Sequence, residues 1–282
     1  MNGNTPFKIN IPREDAFIDI RDSYLEMEVH ILKNADDTRY ADGNYIQPNN
    51  LFGISLFREM TLSGFGSKRL ERVDNVYLAS LMYKLLSDNE EDMIIVYKKE
   101  TAAGIDTTKR NRLLNDTPEK GTIFVRVYLK DVFGFVNHTD KINYGMGYSL
   151  TLKRADNGNS IFRDAAVDEC KIKIEDIVWF VRHDTPSFEN VNLVTEHVLA
   201  KQNTEYSYVS RSITQKPINS NNNWIMEIGT ESGTDVPIYV IVGFQTAARA
   251  GPNQTQNNAI FDSPDIIEAS CNIGTVRYPD NE

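Results

Sequence analysis

Histidines are the side chains best suited to move protons or to bind metals near neutral pH. This sequence has four of them, spread over distant positions: His30, His138, His183 and His197. No two are spaced i and i+4, the spacing that brings two imidazoles onto one helix face as zinc ligands. The spacing therefore predicts ordinary surface or core histidines, and no metal site is predicted.

The short motifs that position a nucleophile or a phosphate are absent from the sequence. Cys170 and Cys271 are the only cysteines, and they stand outside any CxxC spacing, so we predict neither a disulfide framework nor a thiolate site. The glycines at positions 64 and 66 precede Lys68 without the GxxxxGK[ST] spacing, which indicates a turn. We predict no catalytic residue and no cofactor, and hence a protein that is not an enzyme.

Two further groups of side chains allow alternative interpretations. Glu175 and Asp176 could act as an acid pair, but they fall where a strand pattern slips, which favours an exposed β-bulge. An aromatic set could line a sugar-binding face, or could fill a core or an inter-subunit contact. Its members are Phe124, Tyr128, Phe133, Phe135, Trp179 and Phe180.

Three strands are predicted between residues 121 and 183, and they carry the acid pair and most of the aromatic set. Alternating apolar residues mark the first two strands, at 123–129 and 148–152, with a turn at 156–159. In the third strand the apolar set at Ile172 and Ile174 restarts out of phase at Ile177, Trp179 and Val181, which predicts a bulge with those three side chains pointing inward. Long bulged strands are typical of antiparallel sheets packed face to face.

The rest of the chain predicts more strands and two helices. One helix follows the N-cap candidate Asp74 and ends near Ser87, and the other spans residues 191–201. Further strands are predicted at residues 7–11, 24–32, 93–97, 205–218, 224–228, 237–245 and 266–273.

Composition excludes several classes of function. The formal net charge is −10, from 30 basic and 40 acidic residues, which opposes binding to nucleic acid or to anionic lipid. No signal-peptide pattern and no long apolar window is present. We therefore expect an intracellular protein that is not secreted, does not insert into membranes and does not bind specific nucleic acid.

The order of segments resembles one known family, the double jelly-roll major capsid proteins of Polinton/Maverick elements, adintoviruses and virophages. The resemblance begins at residues 17–27 (FIDIRDSYLEM) and continues through 48–52 (PNNLF), 62–64 (LSG), 75–77 (NVY) and 85–87 (LLS). It resumes at residues 171–182, 205–206 (EY), 237–244, 257–261 (NNAIF) and 274–279.

This resemblance implies a tandem jelly-roll β-sandwich with short inserted helices. The implied domains are residues 1–183, a linker at 184–190, and a second jelly roll at 191–282 that is incomplete, because only 78 residues run from Glu205 to the last residue. It also implies a virion subunit that forms homotrimeric pseudo-hexagonal capsomers and contacts neighbouring capsomers and a minor (penton) capsid protein. Two alternatives stay open. One is a carbohydrate-binding β-sandwich. The other is a cupin-like enzyme, which requires histidines and carboxylates that converge inside one barrel.

Overall fold

Strands of very different length make up most of the regular structure. The computed structural model describes residues 6–40, 46–49, 51–64, 66, 68–87, 122–199, 205–218, 225–226, 237–273 and 276–278. The strands are β1 (Phe7–Ile11), β2 (Phe17–Lys33), β3 (Ile46–Pro48), β4 (Phe57–Gly64), β5 (Lys68–Asp74), β6 (Thr122–Tyr128), β7 (Asn143–Tyr144), β8 (Tyr148–Arg154), β9 (Ile161–Arg163), β10 (Cys170–Asp184), β11 (Cys271–Ile273) and β12 (Val276–Tyr278).

Helices are few and mostly short. They are α1 (Phe52–Ser55), α2 (Val76–Ser87), α3 (Gly134–His138), α4 (Phe188–Leu199) and α5 (Ala247–Ala250), with 3₁₀ turns at Leu129–Asp131 and Asn157–Asn159. The helix predicted to end near Ser87 is confirmed as α2. The second predicted helix is confirmed as α4, which begins three residues earlier than expected, at Phe188.

Two antiparallel sheets carry the longer strands. One has the order β1-β8-β4-β5, and the other has the order β10-β2-β6, with β7 also paired to β2. Two small antiparallel pairs, β3 with β9 and β11 with β12, accompany them. The predicted all-β class of antiparallel sheets with short inserted helices is therefore confirmed.

One hydrophobic core joins the inner faces of the two large sheets. Strand β2 shows the alternation that a half-buried strand requires, since its even-numbered outer residues from 24 to 30 are partly exposed while the odd-numbered ones between them are buried. Buried residues of β4 and β8, including Leu62 and Leu150 at 0% exposure, belong to the same cluster as Leu25 and Ile31 of β2. The two sheets thus form a sandwich.

The predicted bulge is present in β10. The pairing of β10 with β2 shifts register between Ile174 and Asp176, and Glu175 and Asp176 are exposed there. This confirms the interpretation of these carboxylates as a bulge. A second shift between Phe180 and Arg182 was not predicted, because the apolar alternation of the sequence continues through Val181.

Trp179 points inward from β10 beside Ile177 and Val181, as predicted, but it is only partly buried. Its indole Nε1 is buried without a hydrogen-bond partner among the described residues. We expect Trp179→Ala to cost about 2–3 kcal/mol, below the 3–5 kcal/mol of a fully buried tryptophan, because part of the ring already contacts water. Trp179→Phe should cost less than about 1 kcal/mol, since it removes the unpaired N–H while keeping an aromatic ring.

Urea denaturation of the parent and both Trp179 variants provides the measurement. Equal midpoints for Trp179→Ala and the parent would contradict the packing of the ring on the core.

The second half of the chain departs from the strand predictions. Residues 205–218 and 237–243 hold no strand, Phe244 forms one isolated bridge with Asp262, and the strand predicted at 266–273 forms only at its end, as β11. Strands need hydrogen-bonded neighbours, and residues 205–218 and 237–243 pair with no strand among the described residues. The predicted strand at 93–97 and, apart from residues 225–226, that at 224–228 lie outside those residues.

The predicted linker at residues 184–190 overlaps the end of β10 and the start of α4. Strand β10 continues to Asp184 and α4 begins at Phe188, so only residues 185–187 separate them. The division into two domains stays a prediction.

Candidate interaction surfaces

The described histidines lie on different elements and have different partners. His30 Nε2 lies 3.0 Å from Glu28 Oε1 on β2, and His138 Nδ1 lies 2.9 Å from the Gly134 carbonyl oxygen. His183 Nδ1 lies 3.4 Å from a carboxylate oxygen of Glu14. Within the described ranges, no three histidine, cysteine or acidic side chains form a group that could hold a metal ion.

Of the two cysteines, one is buried and one is exposed. Cys170 is 1% exposed, and burial raises the pKa of its thiol to about 11, so it is protonated and unreactive at neutral pH. Cys271 is exposed. Among the helices in the described ranges, none has the length and apolar composition needed to span a bilayer.

An aromatic row crosses the outer face of the β10-β2-β6 sheet; we use this name for Phe180, Tyr24 and Tyr128. Tyr24 pairs in register with Phe180 on one side and with Tyr128 on the other. Its ring stacks on Phe180 with centroids 5.1 Å apart and an interplanar angle of 19°, and it lies 5.6 Å from the Tyr128 ring. Cross-strand aromatic pairs of this kind stabilise a sheet.

Charged side chains flank the aromatic row in compensated pairs. The Arg126 guanidinium lies 4.3 Å from the centroid of the Tyr24 ring and donates to Glu26 at 2.9 Å. Lys130 lies 5.4 Å from the centroid of the Tyr128 ring and donates to Asp22. A sugar stacks on an open ring face, whereas Tyr24 is contacted from both neighbouring strands, so its ring offers no open platform.

The aromatic set of the sequence divides into two groups in the structure. Phe133 and Phe135 are in the core, at 0% and 1% exposure. Phe124, Tyr128 and Phe180 are exposed on the outer face, at 70%, 36% and 42%. The set is therefore not one sugar-binding face.

Comparisons with known proteins give remote structural likeness only. No protein-family model and no curated protein matches the chain. Among solved structures, PBCV-1 VP54, fitted into a cryo-EM reconstruction of the virophage Sputnik, is 14% identical with a TM-score of 0.34, over 67% of this chain and 40% of that one. The PBCV-1 virus capsid is 14% identical with a TM-score of 0.33, over 64% and 39%. This chain thus spans about two fifths of each, and such values identify no family.

A second surface lies where the C-terminal half meets the sandwich. Residues 205–213, which we call the strap, run past β5 and α3. The Tyr206 hydroxyl donates to Asn143 Oδ1, and the Tyr208 hydroxyl donates to the Leu70 carbonyl oxygen at 2.6 Å. Both rings pack on Phe135, with centroids 5.5 and 5.3 Å away.

Arg211 fastens the far end of the strap. Its Nη1 donates to the Asp131 carbonyl oxygen at 2.8 Å, and its guanidinium lies 3.5 Å from the centroid of the Tyr83 ring. Burial lowers the pKa of this guanidinium, with partial compensation from nearby Tyr83 and Glu71. A buried cation–π contact of this kind contributes on the order of 2 kcal/mol.

Glu71 joins three parts of the structure through one buried carboxylate. It lies on β5, is 4% exposed, and accepts hydrogen bonds from the backbone amides of Gly134 (3.1 Å) and Phe135 (2.7 Å) at the start of α3. The positive charge of Arg211 in the strap is close enough to favour the ionised form of this carboxylate. Burial raises the pKa of Glu71 above its ordinary value, although these hydrogen bonds and the Arg211 charge oppose the shift.

The raised pKa of Glu71 predicts a particular pH dependence of stability. The folded state binds this proton more tightly than the unfolded state, so the contribution of Glu71 to stability is present below about pH 4.5 and is lost as pH rises through the folded pKa. Glu71→Gln carries no such proton. We therefore expect the stability of Glu71→Gln relative to the parent to increase between pH 4 and pH 8.

Urea unfolding of both proteins across this pH range is the measurement. Glu175→Gln is the matched control, because a hydrogen bond from Lys173 lowers the pKa of exposed Glu175 and gives the opposite sign. A difference in unfolding free energy between the parent and Glu71→Gln that does not change with pH would contradict the prediction that burial disfavours the ionised form of Glu71.

Gln254 makes a second attachment between the halves, which we call the amide clamp. Gln254 is 4% exposed. Its Oε1 accepts hydrogen bonds from the Cys170 amide at 2.8 Å and from Arg163 Nε at 3.0 Å. Its Nε2 donates to the Cys170 carbonyl oxygen at 2.7 Å. Nearby, Asn49 Nδ2 donates to Asn258 Oδ1 at 2.7 Å. The amide clamp thus gives hydrogen-bond partners to the backbone amide and carbonyl of Cys170, the first residue of β10, as a neighbouring strand would.

Proposed function

We propose that this chain is a structural virion protein, a major capsid subunit of the double jelly-roll type from a DNA virus or virus-derived element. Two observations support the proposal. The ordered segments of the sequence resemble that family over most of the chain, and the described fold is an antiparallel β-sandwich with short inserted helices. The proposed subunit acts by binding copies of itself.

Exposed apolar side chains in the second half of the chain are the observation that carries this proposal. Large apolar residues are exposed there at 80% (Phe188), 63% (Leu193), 72% (Ile238), 59% (Val242) and 101% (Ile267). Soluble monomers seldom leave so many large apolar groups in water, and such groups mark contacts with other proteins. A subunit of a closed shell has these contacts.

In the proposed assembly, three copies form a pseudo-hexagonal capsomer that contacts neighbouring capsomers and a minor (penton) capsid protein. The proposed domains are two jelly rolls at residues 1–183 and 191–282, joined at 184–190. The proposed location is the virion, formed inside the host cell. The net charge of −10 gives the subunit no general attraction to nucleic acid.

Sedimentation at micromolar concentration tests the proposal. We expect particles of three times the 32.1 kDa chain mass, seen as compact trimers by negative-stain microscopy. Ile238→Lys with Val242→Lys should shift the population toward monomer, because each places a charge on the exposed apolar run.

The matched control is Ile142→Lys, an equally drastic change at a 43% exposed site of the sandwich half, which should leave the mass unchanged. A monomeric parent whose second half resists proteolysis would refute the proposed assembly.

A further inference from the structure

The strap is attached to the sandwich by side chains and not by a strand ladder. Residues 205–213 contain no helix or strand. Their attachments include the hydroxyls of Tyr206 and Tyr208, the packing of both rings on Phe135, and the guanidinium of Arg211. These contacts lie within one short segment, so they can be lost and regained together.

The groove beneath the strap is built by the sandwich itself. Its floor consists of β5, the 3₁₀ turn at Leu129–Asp131 and α3. These elements are anchored by core residues that are 0–1% exposed, including Val73, Val132 and Phe133. The floor can therefore keep its shape when the strap is absent.

Buried charge weakens the attachment of the strap. Arg211 and Glu71 are both dehydrated, and burial shifts each pKa toward the neutral form. Arg211 Nη2 is also buried without a hydrogen-bond partner among the described residues. Dehydrating charged groups offsets much of what their contacts contribute, so the strap is held less firmly than its contacts alone suggest.

The described part of helix α4, which precedes the strap in the chain, is not buried against the sandwich. None of the described side chains of this helix, at residues 188–196, is buried. Phe188 and Leu193 are largely in water. Residues 188–196 of α4 therefore add no buried anchor to the contacts of the strap.

We propose that the strap is a detachable latch: residues 205–213 leave and rebind their groove as one unit while the sandwich stays folded. The closed latch holds the second half of the chain against the first. The open latch releases the second half at this groove, while the amide clamp still attaches it to the sandwich at Gln254. This inference does not depend on the proposed capsid function.

Thiol labelling of the folded full-length chain tests the latch. Cys271→Ser removes the exposed thiol, so that native Cys170, 1% exposed, reports opening of the sandwich. Val209→Cys adds a thiol to the strap, beside Gly134. We expect an Ellman-type reagent to label the strap thiol at least about tenfold faster than Cys170, because position 209 is only half-buried and the strap opens more often.

Variants that weaken single contacts complete the test. Arg211→Gln should speed strap labelling about tenfold further and leave Cys170 unchanged, and Tyr208→Phe, which removes one hydrogen bond, should act in the same direction but less strongly. The control is Arg182→Gln, whose parent side chain pairs with Asp184 on the exposed end of β10 and which should change neither rate. Equal rates for both thiols, or an unchanged strap rate in Arg211→Gln, would overturn the latch.

Discussion

Replacing Gln254 with alanine is expected to lower the free energy of unfolding by about 2–4 kcal/mol. The substitution removes the amide clamp and leaves the amide and carbonyl of Cys170 buried without partners. Each unsatisfied buried group costs about 1–3 kcal/mol, although entry of water into the space reduces the sum. Urea unfolding followed by tryptophan fluorescence measures the loss.

The neighbouring Gln256 provides the matched control. It lies in the same loop and is partly exposed. Its backbone amide donates to the Asn253 carbonyl oxygen, a bond that the alanine variant keeps. Gln256→Ala should therefore change stability by less than about 0.5 kcal/mol. Equal effects of the two substitutions would show that Gln254 acts through general loop packing and not through its hydrogen bonds.

Replacing Gly134 with alanine is expected to displace the strap. A methyl group at this position would lie 1.8 Å from the Val209 carbonyl oxygen, a backbone atom that can yield only if the whole segment shifts. We expect a loss of about 2–3 kcal/mol, the usual cost of forcing extra atoms into a packed contact. We also expect new protease cleavage within residues 205–213.

Gly251→Ala is the control for this second substitution. Its methyl group would meet the Ala247 carbonyl oxygen at 3.4 Å, an ordinary contact distance. This variant should resist protease like the parent. An intact strap in Gly134→Ala, with parental stability, would contradict the close approach of Val209 to α3.

The sandwich could be predicted because its signals are local. Alternation along β2, β6 and β8 follows from the two-residue period of a strand, and the phase change after Ile174 marks the bulge within one element. The turn chemistry around Asn157 and the apolar stripe of α2 are equally local. Each of these features needs no knowledge of distant residues.

The buried polar contacts between distant residues could not be predicted for the opposite reason. Glu71 meets Gly134 and Phe135, which are 63 and 64 residues away, and Gln254 meets Cys170 across 84 residues. A polar residue in a charged strand or a polar loop is usually solvated, so neither sequence context indicates burial. Only the folded chain shows that these side chains replace missing backbone partners.

The aromatic set shows an intermediate case. Alternation correctly separates Phe124 and Tyr128 from the inward residues of β6, and Trp179 from Phe180 on β10. It says nothing of Phe133 and Phe135, which lie in a turn and a short helix and are buried by the strap and the core. Strand periodicity ends where the strand ends, and so does its predictive value.

The amide clamp also limits where another protein could extend the second sheet. Strand β10 lies at one edge of that sheet, and at its first residue the outward-facing amide and carbonyl are already occupied by Gln254. The bulge at Glu175 then breaks the regular spacing of the backbone groups along the same edge. A peptide that binds by adding a strand here would find a regular run of donors and acceptors only from Asp176 to Phe180, because the second register shift follows before Arg182.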